Sequence, residues 1–286
     1  MAILGRWAQM VVVGRVDFGV YLCAEGDDEQ ILLPRREVPR GCEVGQRLEV
    51  FLYLDSEDRP VATTTAPKIE VGQCALLTVV EVNEVGAFLD WGLPRDLFMP
   101  FAEQRWPAMS GESCVVFAYV DNTGRLAASS KLSRHLAEQT DDYEPGDAVE
   151  LLLCDRGPLG WDVVIDGEVF GLLMSSDALG ELVPGQRVKG YVRSLREDGK
   201  LDLSLQRPGQ EGRDALSAQI LAHLEAEGGR STLTDRSPPE AIFGKFGVSK
   251  KAYKKALGGL YRRKKIVIEA DCIRLARPPR PRASGL

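Results

Sequence analysis

Glycines recur along this chain at fixed distances, and this repeat limits the possible fold more than any other feature. Each of three pairs is separated by 14 residues: Gly5 and Gly19, Gly72 and Gly86, Gly146 and Gly160. A third glycine follows each pair after 25 or 26 residues, at Gly45, Gly111 and Gly185. A register that recurs in this way indicates three tandem copies of one structural unit.

Each unit has the pattern of about five short strands in roughly 65 residues. The first strand follows the first glycine as MVVVGRV, ALLTVVEV or VELLLC, and the later segments alternate apolar and polar residues as half-buried strands do. The middle glycine is predicted to supply a positive φ in a tight turn. Five strands in so few residues cannot cover both faces of a flat sheet. Each unit is therefore predicted to be a small closed barrel, which is the architecture of the OB-fold.

The units resemble the S1 RNA-binding domain, an OB-fold variant, in their turn and closing segments. The aromatic-Gly-x-aromatic turn of that domain stands as FGVY at 18–21 and in part as VGAF at 85–88, and GKLDLSL at 199–205 matches its closing strand. Aromatic rings stack on any base at about 1 to 3 kcal/mol each, although an aromatic residue on a strand is more often part of the core. The nucleic-acid-binding residues implied by this resemblance are Phe18, Tyr21, Phe88 and the basic residues Arg59, Arg125 and Lys200.

After the third unit the apolar period changes from that of a strand to that of a helix. Leu216, Ile220 and Leu224 recur every four residues before a Gly-Gly pair. A second helix is predicted from SPPE to Gly247, and Ser249 is predicted to cap a third. Short apolar segments, IVIE and CIRLA, then favour a hairpin. This order of elements is that of a winged helix-turn-helix domain.

The third helix of this module is predicted to carry a basic surface. The core stripe is assigned to Tyr253, Ala256, Leu257, Leu260 and Tyr261. Residues 245–265 include nine basic side chains and no acidic one, which favours contact with phosphates over an ordinary solvated face. The predicted contacts are Lys245, Lys250, Lys251, Lys254, Lys255, Arg262, Arg263, Lys264 and Lys265.

The net charge of −6 hides two opposite regions. Residues 1–209 carry 20 basic and 34 acidic side chains, a net charge of −14, whereas residues 210–286 carry 16 and 8, a net charge of +8. A uniformly acidic body would repel nucleic acid, but a basic module that concentrates its charge on one helix would attract it.

The segment SPPEAIFGKFGVSKKAYKKALGGLYRRKKIVIE closely resembles the corresponding region of the CvfB/YitL family of bacterial RNA-binding proteins, and the resemblance extends over roughly residues 3–275. It implies a mainly β fold with a C-terminal α/β module, in which three tandem five-stranded S1-like barrels precede a winged helix. The predicted domains are barrels at 1–66, 67–135 and 143–208, a linker at 136–142, the winged helix at 209–276 and a disordered basic tail at 277–286.

No catalytic, metal or cofactor site is predicted. The two histidines, His135 and His223, are accompanied by no nucleophile-elbow, phosphate-loop or zinc-ligand spacing. A cytoplasmic location is expected, because the first residues, MAILGRWAQM, show no export signal and no apolar run approaches the roughly 20 residues that cross a bilayer.

The first functional hypothesis is a protein that binds single-stranded RNA and regulates transcript stability or translation. An alternative is a DNA-binding transcription regulator that uses the winged helix, with the barrels as protein-interaction modules. A third is an accessory subunit of a ribonuclease or ribosome complex, in which catalysis lies elsewhere.

Overall fold

A computed structural model describes residues 4–276 except 176, 177, 179, 180, 208 and 270, and leaves the side chains of 209–213 undescribed. The chain divides into two compact units, residues 1–137 and 138–286. The first unit contains two barrels, and the second contains a third barrel and the helical module. The predicted disordered tail at 277–286 lies outside the described residues.

Each glycine-bounded repeat folds into a closed five-stranded barrel, as predicted. The first barrel comprises β1 (Trp7–Val16), β2 (Gly19–Cys23), β3 (Gln30–Pro34), β4 (Arg47–Leu54) and β5 (Pro60–Thr63). The second comprises β6 (Cys74–Val82), β7 (Gly86–Asp90), β8 (Leu97–Pro100), β9 (Ser113–Val120) and β10 (Leu126–Ser129). The third comprises β11 (Ala148–Arg156), β12 (Gly160–Ile165), β13 (Val169–Met174), β14 (Arg187–Leu195) and β15 (Leu201–Ser204).

The three barrels share one strand order, in which the first strand pairs with the second and the fourth, and the fifth lies between the third and the fourth. The pair of third and fifth strands is parallel, and the other pairs are antiparallel. This equivalence gives the paired strand positions of one barrel counterparts in the others. The barrels can therefore serve as internal comparisons for one another.

The outer glycines of the repeat close the barrels through left-handed turns. Gly5 and Gly45 have φ values of 77° and 90°, and their counterparts in the other barrels lie between 79° and 108°. Gly5 N donates to Leu52 O at 2.7 Å, and Gly45 N donates to Val12 O at 2.8 Å, so the two turns join the first and fourth strands at opposite ends. Glycine is favoured here because a side chain strains this backbone conformation.

The middle glycine has a different role from the one predicted. Gly19 and Gly160 do not have a positive φ, and the φ of Gly86, 158°, is close to extended. A Cβ atom at these three positions would lie 2.1 to 2.4 Å from a carbonyl oxygen of the third strand. The close approach of the second and third strands therefore requires glycine here.

Aromatic side chains on the outer face of the first barrel pack against the second barrel. Phe51 and Tyr53 are buried, and their ring centroids lie 5.9 and 6.4 Å from that of Trp91. These residues join one hydrophobic cluster with the interior of the second barrel, including Leu89 and Met99. The two barrels thus form a single packed body.

The C-terminal module is a winged helix, as predicted, with one strand more than the sequence indicated. Its elements are α1 (Gly209–Ala226), β16 (Arg230–Ser231), α2 (Pro239–Phe246), α3 (Lys250–Arg262), β17 (Ile266–Ile268) and β18 (Ile273–Leu275). The two-residue strand β16 pairs with β18 and extends the predicted hairpin to a three-stranded sheet in the order β16-β18-β17. Two residues are too short to leave an alternating pattern, which explains why the sequence did not reveal it.

The core of the winged helix is built from the apolar stripes of its three helices. Ile220, Ile242 and Leu257 have at most 1% of their surface exposed. Burial raises the pKa of Tyr253 to about 12, and its hydroxyl donates to Leu233 O at 2.8 Å. None of the described helices is long and apolar enough to span a membrane.

Candidate nucleic-acid interface

The third helix of the winged helix turns its lysines away from the core. Tyr253 and Leu260 lie on the buried face of α3, whereas Lys251, Lys254 and Lys255 are exposed. At 3.6 residues per turn, the core residues and these lysines occupy separate arcs of the helix. The lysines therefore form one accessible basic face, as the sequence predicted.

The basic residues at the start of α3 oppose its stability. Ser249 caps the helix by accepting a hydrogen bond from Ala252 N at 3.1 Å, and the first turn contains Lys250 and Lys251 but no acidic residue. Positive charge near a helix N-terminus is unfavourable by about 0.3 to 1 kcal/mol, because it meets the positive end of the helix dipole. The same combination of lysines and unpaired N–H groups attracts phosphate. This end of the helix is thus suited to an anion at some cost to folding.

Some of the predicted basic residues have intramolecular partners. Lys250 is half-buried, and its Nζ donates to Arg236 O at 3.3 Å. Arg263 lies 3.3 Å from Asp214, and Arg262 Nε donates to a backbone carbonyl of its own helix at 3.2 Å. These three side chains are held by the fold and contribute less accessible charge than the sequence alone suggests.

The other predicted basic residues are exposed and have neither a hydrogen bond nor an ion pair from their side chains within the described ranges. They are Lys245, Lys251, Lys254, Lys255, Lys264 and Lys265. Their full charge is available to an external polyanion.

Tyr261 was assigned to the core stripe, and this prediction is wrong. Its surface is 55% exposed, whereas Leu260 beside it is buried. Tyr261 lies seven residues after Lys254, so both side chains lie on nearly the same face of α3. The helix thus presents an aromatic ring among its lysines, and such a ring can stack on a base.

In the second barrel, two predicted residues line one cavity of about 250 Å³. Phe88 and Arg125 contribute to its wall together with Phe98, Trp91 and Arg95. The rings of Phe88 and Phe98 have centroids 5.3 Å apart and are tilted by 41°. A cavity with aromatic walls and two guanidinium groups has the chemistry to hold a base and its phosphate.

A carboxylate of the first barrel forms ion pairs with the two arginines of this cavity. Asp58 lies 2.8 Å from Arg95 and 2.6 Å from Arg125, one oxygen to each. The hydrogen bond from Arg95 and the charge of Arg125 hold the pKa of Asp58 below its ordinary value. Asp58 therefore stays ionised at neutral pH and takes the position between two guanidinium groups that a phosphate would need.

In the first barrel, the structure brings together two of the three predicted residues. Phe18 is 57% exposed, and its ring centroid lies 6.5 Å from that of Tyr21 in an edge-to-face arrangement. Arg59 instead forms ion pairs with Asp55 at 2.8 Å and Glu57 at 3.0 Å in its own turn. The exposed ring of Phe18 remains available to a base beside the half-buried Tyr21, whereas the charge of Arg59 is balanced locally.

The third barrel lacks the aromatic feature of the other two. Asp162 stands two residues after the middle glycine, where Tyr21 and Phe88 stand in the first two barrels. Its predicted basic residue, Lys200, lies 3.3 Å from Glu138. Each of the three predicted closing-strand cations therefore has a carboxylate partner.

Comparison with known proteins agrees with this architecture. The model of the CvfB-like winged helix domain matches residues 218–275, and the S1 domain model matches residues 4–65 and 71–131. The uncharacterized protein YitL of Bacillus subtilis is 30% identical over 278 residues, which cover 93% of this chain and 91% of YitL. The chain belongs to the CvfB/YitL family.

Other members of the CvfB/YitL family are similar over the same length. Conserved virulence factor B of Staphylococcus epidermidis and that of Staphylococcus aureus are each 25% identical, with 93% of this chain and 95% of the relative covered. A crystal structure of a multidomain protein with nucleic acid binding domains from Streptococcus pneumoniae is 25% identical over 95% of this chain and 98% of that one, with a TM-score of 0.42.

The domains of this CvfB/YitL protein indicate nucleic acid as its ligand. S1 domains and winged helices are binding modules in which exposed aromatic and basic side chains meet bases and phosphates.

Within the described ranges no group of three or more His, Cys, Asp or Glu side chains could hold a metal ion.

Several residues of the candidate interface were missing from the sequence-based set. Phe98 and Arg95 join the cavity from a strand and a loop in which no binding residue had been predicted. Phe98 could have been found, because alternation along LFMP places its side chain outside the barrel between buried Leu97 and Met99. Arg95 had no such signal, because its loop has no periodic pattern.

Proposed function

We propose that this CvfB/YitL protein binds single-stranded RNA and thereby affects transcript stability or translation in the cytoplasm, with no catalytic step of its own. The observation that carries the proposal is the exposed, unpaired charge of Lys251, Lys254 and Lys255 on α3. Phosphate contacts of this kind supply most of the sequence-independent affinity for a nucleic acid.

Single strands are favoured over duplexes by the exposed rings of Phe18 and Tyr261 and by the half-buried ring of Phe88 in its cavity. These rings can stack only on bases whose faces are accessible, and the faces of bases within a duplex are not. Beside the turn of the first barrel, Phe18 is 57% exposed and lies edge-to-face with the half-buried Tyr21. The barrels and the winged helix would then each contribute stacking, and the lysines of α3 would add charge.

The arrangement of α2 and α3 supports a second candidate, a DNA-binding transcription regulator. Gly247 has a φ of 65° and ends α2, and Ser249 starts α3, so the two helices form a helix-turn-helix. In that motif the second helix enters the major groove of a duplex. Exposed apolar residues on the second barrel, such as Trp106 at 67%, would then suit protein partners. The same apolar residues would suit the separate hypothesis of an accessory subunit of a ribonuclease or ribosome complex.

Titration of the full chain with a labelled single-stranded RNA and with duplex DNA, at several salt concentrations, separates these candidates. The variant K251Q/K254Q/K255Q is expected to bind RNA with a salt slope reduced by about 2, because each phosphate contact with a single strand contributes about 0.7. Its affinity is expected to fall roughly tenfold or more.

The matched control is R36Q/R47Q/K68Q, called the paired-cation control. It removes the same charge from cations that already have carboxylate partners at 3.7, 3.0 and 2.6 Å. The paired-cation control is expected to bind RNA with nearly the salt slope of the parent. Tighter binding of duplex DNA than of RNA by the parent would contradict the proposal, and equal slopes for the two variants would remove α3 as its main contact.

A further inference from the structure

A groove of the first barrel is lined by three arginines. It lies between the end of the β1–β2 hairpin and the segment after β3, and its volume is about 600 Å³. Arg15, Arg35 and Arg40 are exposed along it, together with one acidic residue, Asp17. None of these positions belongs to the aromatic and closing-strand set that the S1 resemblance implied.

The three guanidinium groups have no partner within the described ranges, in either hydrogen bonds or ion pairs. Other cations of the first unit are paired: Arg47 lies 3.0 Å from Glu25, Lys68 lies 2.6 Å from Asp90, and Arg134 lies 3.1 Å from Glu103. Three unpaired arginines around one groove repel one another, even though acidic residues outnumber basic ones in this part of the chain. An anion in the groove would relieve this repulsion.

The barrel fold does not require arginine at these positions, as the second barrel shows. Arg15 pairs with Val20 next to the middle glycine, and its counterpart Val82 pairs with Ala87. Both Arg15 and Val82 are exposed, the latter by 37%. An uncharged side chain is thus compatible with the same strand pairing.

The segment after the third strand leads to the same conclusion. In both barrels a proline with φ of −59° precedes a single 3₁₀ turn, Arg35–Glu37 in the first and Phe101–Glu103 in the second. Glu37 and Glu103 each bind a hydroxyl of the closing strand. The two barrels therefore share the proline, the 3₁₀ turn and the glutamate. The first residue of the turn is exposed in both, but it is Phe101 (51% exposed) in the second barrel and Arg35 in the first. The charge of Arg35 is therefore a property of the first barrel and has no part in holding the turn.

The groove adjoins the turn of the first barrel that carries the exposed ring of Phe18. Arg35 N donates to Phe18 O at 2.8 Å, which fixes the rim of the groove against the turn that carries Phe18. A strand whose bases stack on Phe18 and Tyr21 would bring its backbone to this rim. Arginine is suited to that backbone, because its planar fork can bind two oxygens of one phosphate.

We propose that the groove between Arg15, Arg35 and Arg40 is a second phosphate-binding site, which holds the backbone of a single-stranded RNA. It rests on the proposed function, and it adds a contact region in the first barrel to the basic face of the winged helix. The first barrel then takes part in binding and is more than a spacer.

The test uses the full chain with substitutions R15Q/R35Q/R40Q, beside the paired-cation control, which removes the same charge from the same unit. Labelled single-stranded RNA is titrated between about 50 and 200 mM salt. Loss of three phosphate contacts is expected to lower the salt slope by about 2 and the affinity roughly tenfold, whereas the control retains nearly the parent values. Tryptophan fluorescence and ellipticity at 222 nm verify that each variant is folded.

Two outcomes would overturn the inference, and they differ in what they imply for the proposed function. If the parent binds RNA and the R15Q/R35Q/R40Q variant has the slope and affinity of the control, the groove is not a contact, although RNA binding stands. If the parent does not bind RNA, both proposals fail. Should the triple variant unfold, R35Q alone is measured, with an expected slope change of about 0.7; an unchanged slope overturns the groove in that case too.

Discussion

The closing-strand cations of the barrels and the exposed lysines of α3 differ in whether their charge is balanced within the protein. Arg59, Arg125 and Lys200, at equivalent positions of the three barrels, each lie within 3.3 Å of a carboxylate. Lys251 and Lys254 on α3 have no such partner in the part of the chain that the structure describes. A basic side chain at a family's binding position is thus not sufficient evidence of a binding site, because its neighbours decide whether its charge is available.

The acidic barrels also affect which polyanions reach the basic helix. A net charge of −14 over residues 1–209 repels bulk nucleic acid, whereas the +8 of residues 210–286 attracts it. Under the proposed function, a strand would gain affinity where it meets the basic surfaces without passing over the acidic ones, and the opposition of the two regions would increase selectivity.

The largest expected effect concerns stacking on the basic helix. Substitution Y261A is expected to lower affinity for single-stranded RNA by about 1 to 3 kcal/mol, the usual contribution of one stacked base. The measurement is a titration with labelled RNA at fixed salt. Because Tyr261 is 55% exposed, the stability of the winged helix should change little.

The matched control for this substitution is Y261F, which retains the ring and removes the hydroxyl. It is expected to bind nearly as well as the parent. An equal loss in Y261A and Y261F would show that Tyr261 contributes a hydrogen bond, and the winged helix would then act by charge alone.

A smaller effect is expected when the charge balance of the barrels is disturbed. Substitution D58N removes the carboxylate shared by Arg95 and Arg125, and asparagine tolerates the positive φ of 59° at this position. Exposed ion pairs contribute up to about 1 kcal/mol, so RNA affinity is expected to rise by at most about fivefold.

The control for D58N is E49Q, which removes one negative charge from an exposed position of the same barrel. It tests whether the gain comes from general repulsion or from release of the two arginines. A rise in D58N that E49Q reproduces, measured by the same titration, would mean that the aromatic cavity of the second barrel is not a contact.

The smallest expected effect is a change of stability with pH, which is expected in the winged helix and distinguishes it from the barrels. Burial, and next the charge of Lys245, lower the pKa of His223 from its ordinary value of 6.5, against an opposing effect of Glu227. The unfolded chain therefore binds a proton more readily than the folded one, and the winged helix is expected to lose stability as pH falls below 6.5.

Urea unfolding near pH 7.5 and near pH 5.5 tests this expectation. Ellipticity at 222 nm follows the winged helix, which contains the described α-helices, whereas Trp7, Trp91, Trp106 and Trp161 report on the barrels. The helical transition should shift to lower urea at the lower pH, and H223Q should remove the shift. A helical midpoint that rises on acidification would contradict the assigned direction of the pKa.

The sequence predicted the three barrels and the winged helix because both rest on periodic signals. The glycine register marked the turns that close each barrel, and the four-residue spacing of Leu216, Ile220 and Leu224 marked the first helix. The outer face of α3 was predicted in the same way, since its lysines interrupt the apolar stripe. The misassignment of Tyr261 came from the same stripe, because a helical pattern alone does not show where the packed surface ends.

What the sequence determined by itself is the repeat, the strand and helix periods and the division of charge, all of which are properties of order along the chain. Only the tertiary structure decided which charges are available and which rings meet. The middle glycines allow close contact of the second and third strands, Asp58 binds two arginines of the next barrel, and Arg15, Arg35 and Arg40 meet around one groove. These facts depend on distances between residues far apart in the chain, and such distances exist only after the strands have paired and the barrels have closed.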